Sequence, residues 1–380
     1  MTIQELFEIE PTLEDNPFLE KIVEVLSGQE TGELFFVYSN PFFIRYGKIL
    51  QKIDLFSEEE TFGSLEEDQK EVLAELMSIF KEKKTFTHAG VISDVLEFSF
   101  EMDKKKVRVR IESCKEKESI FVTIKLFKQF PYALKGLGFT DKIVSRLLSL
   151  SRGLIIITGP PASGKTTTAL SLVHEIASYR SVIAYTYERP VEVPLSSSRS
   201  IIVQKSYGFD FDSWTKLQAE RKSPASVVYI ADIGEREAAE VALDFAVAGK
   251  LVIITITGES TFSTLQNLES LFLAEERALR RGQLAFAFQT IIYQNLIRSQ
   301  SANHPFTLAY EVIFASDKIK NLIAEGKYNL ITPDTQPGSV DVTYKASLYS
   351  LLHNQRITKR TYELELTKYY KGYTPIGGRE

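Results

Sequence analysis

The stretch GPPASGKTTT, residues 159–168, follows directly on the apolar run LIIIT, residues 154–158. This junction limits the fold more than any other part of the chain. It asks for a buried strand, a glycine-bounded loop and a helix in immediate succession. Gly159-x-x-x-x-Gly164-Lys165-Thr166 is a full Walker A pattern, and residues 167–177 carry the spacing of the helix that should follow. In such a loop the backbone N–H groups and the helix N-terminus converge on phosphate oxygens. Lys165 should place its ammonium between the β- and γ-phosphates, and the Thr166 hydroxyl should ligate Mg²⁺. The expected cradle for MgATP is therefore Gly159, Ala162, Ser163, Gly164, Lys165, Thr166 and Thr167. Pro160 and Pro161 have no N–H, so the cradle must be built from Ala162 onward. With a positive φ at Ala162, alanine would cost about 1 kcal/mol. The plainer reading, a glycine turn with a chance Lys-Thr, does not account for the strand before and the helix after.

Four apolar runs, LIIIT (154–158), SVIAYTY (181–187), SVVYIAD (226–232) and KLVIITIT (250–257), lack clean alternation. Such runs suit strands buried on both faces. Helical stretches separate them, as a parallel α/β sheet requires. The N-terminal part reads differently. Residues 18–26 and 66–80 carry helical periodicity, with Val72, Leu73, Leu76, Ile79 and Phe80 on one face of the second. LFFVY (34–38), FFIRY (42–46), VLEFSFE (95–101), KVRVRIES (106–113) and SIFVTIKLF (119–127) read as strands joined by short turns, including residues 103–104 and 115–118. This is the pattern of an α+β module with an antiparallel sheet. KQFPYALKGLGF (128–139), with one Pro and two Gly, reads as the linker. The division is thus 1–127, a linker over 128–139, and 140–380 with a C-terminal helical region. FAFQTIIYQNL (286–296) is a core-joined helix or strand, and EERALRRGQ (275–283) reads as a solvated helix face, with an interface between subunits as the alternative.

With 380 residues the chain is longer than one core usually serves. Its net charge of −5 gives no global pull toward nucleic acid or an anionic membrane. The lone Cys114 cannot form a disulfide framework, which fits a reducing compartment. His88, His174, His304 and His353 are scattered without metal-ligand spacing. The N-terminus lacks the pattern of a signal peptide, and no apolar run approaches the roughly 20 residues of a spanning helix. The expected location is the cytoplasm.

In these segments the chain resembles the type IV pilus retraction (twitching motility, PilT-like) ATPases of the secretion ATPase superfamily. GFTDKIVSRLLSLSRG precedes the phosphate loop, and ERPVEV (188–193) falls at the family's acidic "Asp box". RKSPASVVYIADIGERE (221–237) is similar to the Walker B segment, and AVAGKLVIITITGES (246–260) to the "His box". QNLIRSQ followed by TLAYEVIF (294–314) resembles a family strand pair, and KIKNLIAEGK (318–327) the C-terminal signature of retraction motors. The resemblance implies a PAS-like α+β N-terminal domain, a RecA-like P-loop NTPase domain with a parallel-rich sheet, and a homo-hexameric ring. It also implies ATP between domains, hydrolysis that drives domain rotation, and a pilus platform protein at the inner face of the cytoplasmic membrane as partner. No nucleic acid is expected.

The resemblance assigns roles residue by residue. Asp232, where the family usually has Glu, would orient Mg²⁺ with Thr166; the bland alternative is a strand-end aspartate. Glu188 and Glu192 match the Asp-box glutamates, and either can polarise the attacking water, Glu188 being the first choice. The acid normally following Glu188 is here Arg189, which can bind phosphate itself or pair with Glu188 and spoil the base. Lys250 and Thr257 stand in place of histidines, and Gly234 in place of an arginine. Arg108 and Arg110 match arginines that reach a neighbouring subunit's nucleotide, with Lys125 where a third arginine is common. The alternative for KKKVRVR is a solvated strand edge. Two functions follow: a working ATP-driven retraction motor, or a divergent paralogue that binds ATP, hydrolyses it weakly and acts as a regulatory or accessory ring subunit. An unrelated small-molecule kinase or nucleic-acid motor is disfavoured by the acidic chain and the order of the segments.

Overall fold

The computed structural model describes residues 132–371, apart from Pro190, Phe209, residues 302–304 and Pro337, and before them the backbone of seven strands. The chain divides into two units, Met1–Phe130 and Pro131–Glu380.

The strands of the first unit are β1 (Glu33–Val37), β2 (Phe42–Tyr46), β3 (Ile49–Ile53), β4 (Lys84–His88), β5 (Val91–Met102), β6 (Lys105–Glu116) and β7 (Ser119–Phe127). They form an antiparallel sheet in the order β3-β2-β1-β7-β6-β5-β4. The five expected strands are present. β6 runs further than expected, because Lys115 and Glu116 continue the ladder opposite Ile120 and Ser119. Arg108 pairs with Ser99 and Phe127, and Arg110 with Glu97 and Lys125. Two residues apart on one strand, they share a face. The helices expected over 18–26 and 66–80 lie outside the described residues.

The second unit is an α/β layer. Its strands are β8 (Gly153–Gly159), β9 (Ile183–Glu188), β10 (Ile201–Ser206), β11 (Val227–Ile230), β12 (Leu251–Thr257), β13 (Phe288–Arg298) and β14 (Phe306–Phe314). Their order is β10-β9-β11-β12-β8-β13-β14, and every neighbouring pair is parallel except β13 and β14. The helices are α1 (Asp141–Ser149), α2 (Lys165–Tyr179), α3 (Arg236–Val247), α4 (Thr261–Ser270), α5 (Arg277–Ala287), α6 (Asp317–Ala324), α7 (Tyr344–His353) and α8 (Lys359–Lys371). All seven residues of β8 are buried, so its unbroken apolar run is the signature of a strand covered on both faces. Among the described residues no helix is long and apolar enough to cross a membrane.

Two ambiguous segments resolve. In FAFQTIIYQNL, α5 ends at Ala287 and β13 begins at Phe288, so the segment is mostly strand. EERALRRGQ does form a helix, but the expectation of a solvated face is corrected for Arg280 and Arg281. Arg280 lies 3.1 Å from Asp244 and 3.6 Å from Glu240, while Arg281 lies 3.4 Å from Glu269. The helix packs a charged seam against α3 and α4, which charge pattern alone does not distinguish from a wet face. Leu134 and Phe139 are buried, and the Phe139 ring sits 4.8 Å from that of Tyr310.

The C-terminal helices close over β13 and β14 through a tyrosine cluster. The rings of Tyr293, Tyr344 and Tyr369 lie 4.4–5.2 Å apart. Beneath them Glu311 of β14 is buried and accepts hydrogen bonds from the Tyr369 hydroxyl (2.6 Å), the Thr261 hydroxyl (2.9 Å) and the Tyr344 N–H (3.3 Å). Glu311→Ala strands three buried donors at once, and is expected to cost about 2–4 kcal/mol. A urea unfolding midpoint within error of wild type would refute this account of Glu311.

Candidate nucleotide-binding site

The loop between β8 and α2 is shaped by backbone conformations that most residues avoid. Gly159 has φ +154°, and a Cβ there would overlap the Gln294 carbonyl oxygen and lie 2.7 Å from Ser163 Oγ. No side chain fits. Gly164, at φ +81°, caps the start of α2. Ala162 has φ +56°, in the left-handed region, so the loop carries alanine strain of about 1 kcal/mol. Strain of this kind is kept where the surroundings over-determine a functional shape. On one side the Gln294 amide supplies that constraint, donating 2.8 Å to the Ser163 carbonyl.

The helix end that the loop presents suits an anion. α2 has no side-chain cap at its N-terminus and no acidic residue in its first turn. Its first N–H groups therefore have no side-chain acceptor, and the helix dipole points positive charge the same way. Lys165 Nζ donates to the carbonyls of Gly159 and Pro160, 3.0 Å each, which holds the ammonium over the loop. Ser163 Oγ is buried without a protein partner. A triphosphate would meet exposed amides, a cation and the Thr166 hydroxyl, so the residues present fit MgATP.

At the C-terminal end of β9, Glu188 is buried. Its Oε1 accepts from the Thr186 hydroxyl (2.6 Å) and the Gln204 amide (3.1 Å), and the carboxylate is also hydrogen-bonded by the Glu192 backbone. Burial pushes its pKa up to about 7, against the pull of those hydrogen bonds and with help from the charge of Glu192. A carboxylate whose pKa lies near neutrality can take up a proton. Between Glu188 and the loop stands Tyr229 of β11, fully buried and in register with Thr186. Its phenol lies 3.4 Å from Thr255 Oγ1, and burial, with the charge of Glu188, raises its pKa. The Thr255 hydroxyl also accepts the Asp232 N–H at 2.8 Å. Sequence reasoning missed Tyr229, Thr255, Gln204 and Gln294. The signal was available for Tyr229 and Thr255 only after register, since parallel neighbours in register share a face.

The other expected residues fall as follows. Asp232 lies two residues past β11 and is exposed, with φ +50°. Glu192 is partly buried in the segment after β9. Arg189 pairs with Glu235 rather than with Glu188. Its guanidinium forms a two-pronged pair with Glu235 (2.8 and 3.1 Å) and stacks 4.1 Å from the Tyr207 ring. Those contacts hold it away from Glu188's role and neutralise the inverted charge locally. Gly234 is exposed beside this pair. Lys250 is buried at the opposite end of β12 from Thr257, donating to the Ser223 (2.8 Å) and Ala225 (2.6 Å) carbonyls. It secures the loop before β11. Arg108 and Arg110 lie in the first unit.

The family model "Type II/IV secretion system protein" matches residues 39–338. The type IV pilus retractation ATPase PilT of Pseudomonas aeruginosa is 25% identical over 232 residues, 61% of this chain and 66% of that protein. A twitching motility protein of Neisseria gonorrhoeae is 27% identical over 213 residues, 55% of this chain and 57% of its own length. The chain thus spans less than two thirds of the length of these curated relatives. Among solved structures, the pilus retraction motor PilT with bound ADP has TM-score 0.69 at 23% identity, covering 91% of this chain and 96% of its own. That likeness establishes the shared fold.

The Glu188 environment carries a pH signature. A native pKa near 7 against an ordinary value of 4.5 means that the folded chain binds this proton more tightly than the unfolded one. The resulting stabilisation is fully present below the ordinary value and lost as pH rises through the native one. Glu188→Gln, which cannot ionise, should therefore gain in melting temperature over wild type as pH rises from about 5 to 8. Thermal melts across that range check this; parallel curves would refute the burial of an ionisable Glu188.

Proposed function

This chain belongs to the type II/IV secretion system protein family, and we propose that within it the chain is an ATP-binding, ATP-hydrolysing ring motor of the pilus-retraction type. The observation that carries the proposal is the uncapped N-terminus of α2 after its glycine-bounded loop, in the same parallel sheet as a buried glutamate at the C-terminal end of β9. In this reading the second unit is a RecA-like domain, the N-terminal part a PAS-like domain over 1–127, and 128–139 the linker to 140–380. Six copies form a ring at the cytoplasmic face of a membrane, against a platform protein of a pilus. The relatives named for pilus retraction and twitching motility support that role.

The residues divide the work. The amides of Ala162–Thr167 hold the phosphates, and Lys165 leaves the Gly159 and Pro160 carbonyls for phosphate oxygens. Thr166 and Asp232 hold Mg²⁺, which when bound neutralises charge on the transferring phosphoryl group. Glu188 Oε2 accepts a proton from the attacking water, with Glu192 as the second carboxylate. Arg108 and Arg110, on one face of β6, reach the nucleotide of a neighbouring subunit.

A specific observation favours the second reading, a paralogue that binds ATP and turns it over slowly within or beside the ring. Arg189 is paired with Glu235 and stacked on Tyr207, Asp232 is exposed, and Thr257 cannot carry the cationic charge of a histidine. Steady-state phosphate release separates the two readings. Lys165→Ala should abolish measurable ATP binding. Glu188→Gln should keep binding and lower hydrolysis about 10²–10³-fold. If the wild type itself releases phosphate no faster than Glu188→Gln, the chain is the binding paralogue. Unchanged nucleotide affinity in Lys165→Ala would remove the site altogether.

A further inference from the structure

β10 stands at one end of the second sheet, with β9 as its neighbour among the described strands. Between the two, residues 191–197 form no helix or strand. Such a segment has no ladder to hold its backbone N–H and C=O groups, so other partners must. Side chains of β10 take that place. Ser206 Oγ accepts the Val191 N–H at 2.9 Å. Gln204 Nε2 donates to the Val193 carbonyl at 2.9 Å, and Gln204 Oε1 accepts the Leu195 N–H at 2.5 Å. Gln204 and Ser206 are two apart on one strand, so they share a face. The backbone is thus fastened on either side of Glu192, at Val191 and at Val193.

Gln204 has a further attachment. The same Nε2 donates to Glu188 Oε1 at 3.1 Å. An amide nitrogen carries two hydrogens, and the amide oxygen accepts. Here one N–H faces the carboxylate, the other faces a carbonyl, and the oxygen faces a backbone N–H. The three partners fix which way the amide lies, because the flipped group would set its oxygen against a carboxylate and a carbonyl. One side chain therefore touches both the carboxylate that ends β9 and the irregular segment that carries Glu192. A carboxylate on a segment without regular structure is placed only as well as its backbone is held, and misplacement of about 1 Å can cost about 10²-fold in rate.

We infer that Gln204 is a positioning residue for the carboxylates at the attacking water: its amide orients Glu188 and, together with Ser206, clasps the backbone on both sides of Glu192. The inference rests on the reading of Glu188 and Glu192 as the groups that activate water, and it names the side chains that set their placement.

Hydrogen exchange of the full-length protein without nucleotide, read beside ATP titration and steady-state phosphate release, tests it. Gln204→Met keeps the length of the side chain and removes its bonds to Glu188, Val193 and Leu195. Amides of residues 191–197 should exchange about 10-fold faster than in wild type, while those of β8 keep wild-type rates. ATP affinity and KM should stay at wild-type values, and kcat should fall about 10- to 100-fold. Ser206→Ala removes only the Val191 clasp and should move exchange and kcat in the same directions by less. Should Gln204→Met fail to fold, Ser206→Ala decides alone. Wild-type exchange over 191–197, or faster exchange with unchanged kcat, would overturn the inference while leaving nucleotide binding and hydrolysis intact. A loss of ATP affinity equal to the loss of kcat would mark a general structural role and overturn it as well. No phosphate release by wild type would instead overturn the reading of Glu188 as the base, and this inference with it.

Discussion

The close approach of the Gly159 backbone to that of Gln294 governs the C-terminal edge of the second sheet. A Cβ at Gly159 would overlap the Gln294 carbonyl, so the chain can leave β8 in only one direction. That direction sets the turn through Ala162 and Gly164, both with positive φ, and the turn sets where α2 begins. Gln294 then holds the loop from the other side through the Ser163 carbonyl. β13 is therefore more than a sheet neighbour of β8. It is the wall that makes a strained loop the lowest-energy path, and the strain at Ala162 is the cost of presenting amides where an anion can meet them.

Charge around the site has been moved rather than lost. Placing Arg189 directly after a buried glutamate would ordinarily threaten that glutamate's proton affinity, because an opposite charge within a few ångströms favours ionisation. The structure directs the guanidinium into Glu235 and the Tyr207 and Trp214 rings. Glu188 is left to burial, which dominates its titration. Glu235 precedes α3, so the pair also neutralises an acid at a helix start. The inverted residue at 189 thus remains compatible with a proton-accepting Glu188, and its effect falls on what Arg189 is no longer able to touch.

The parallel sheet and the phosphate loop could be read from residue order because their physics is local. Unbroken apolar runs report burial on both faces, and Gly159 to Thr166 report a loop that only certain backbones can form. Ala162 marks the limit of this, since residue order allowed a positive φ there and only the folded backbone shows it. Tyr229, Thr255, Gln204 and Gln294 could not be read in this way. Each lies on a strand whose apolar neighbours hide it, and its role depends on cross-strand register, which no single segment encodes. Lys250 illustrates the converse. Both Lys250 and Thr257 stand where the family has histidines, yet Lys250 immediately precedes the seven-residue strand that Thr257 ends, so one serves backbone carbonyls and the other faces solvent.

The same logic extends from the loop to the end of the chain. The Gly258 N–H donates to the Gly159 carbonyl at 3.2 Å, and the Thr158 and Thr264 hydroxyls meet at 2.7 Å. The start of α4 is thereby fastened to the strand that enters the phosphate loop. Thr261, the first residue of α4, donates to Glu311, which also accepts from Tyr369 of α8. Every link is buried, and each donor has an acceptor. Such a path is stiff, because breaking any link leaves a polar group in a dry interior at a cost of about 1–3 kcal/mol. Stiffness has a direct mechanical meaning here: β8, α4 and the C-terminal helices form one body. Any rearrangement at the phosphate loop must be absorbed on the other side of the site, where Asp232 and Glu192 sit outside regular strands.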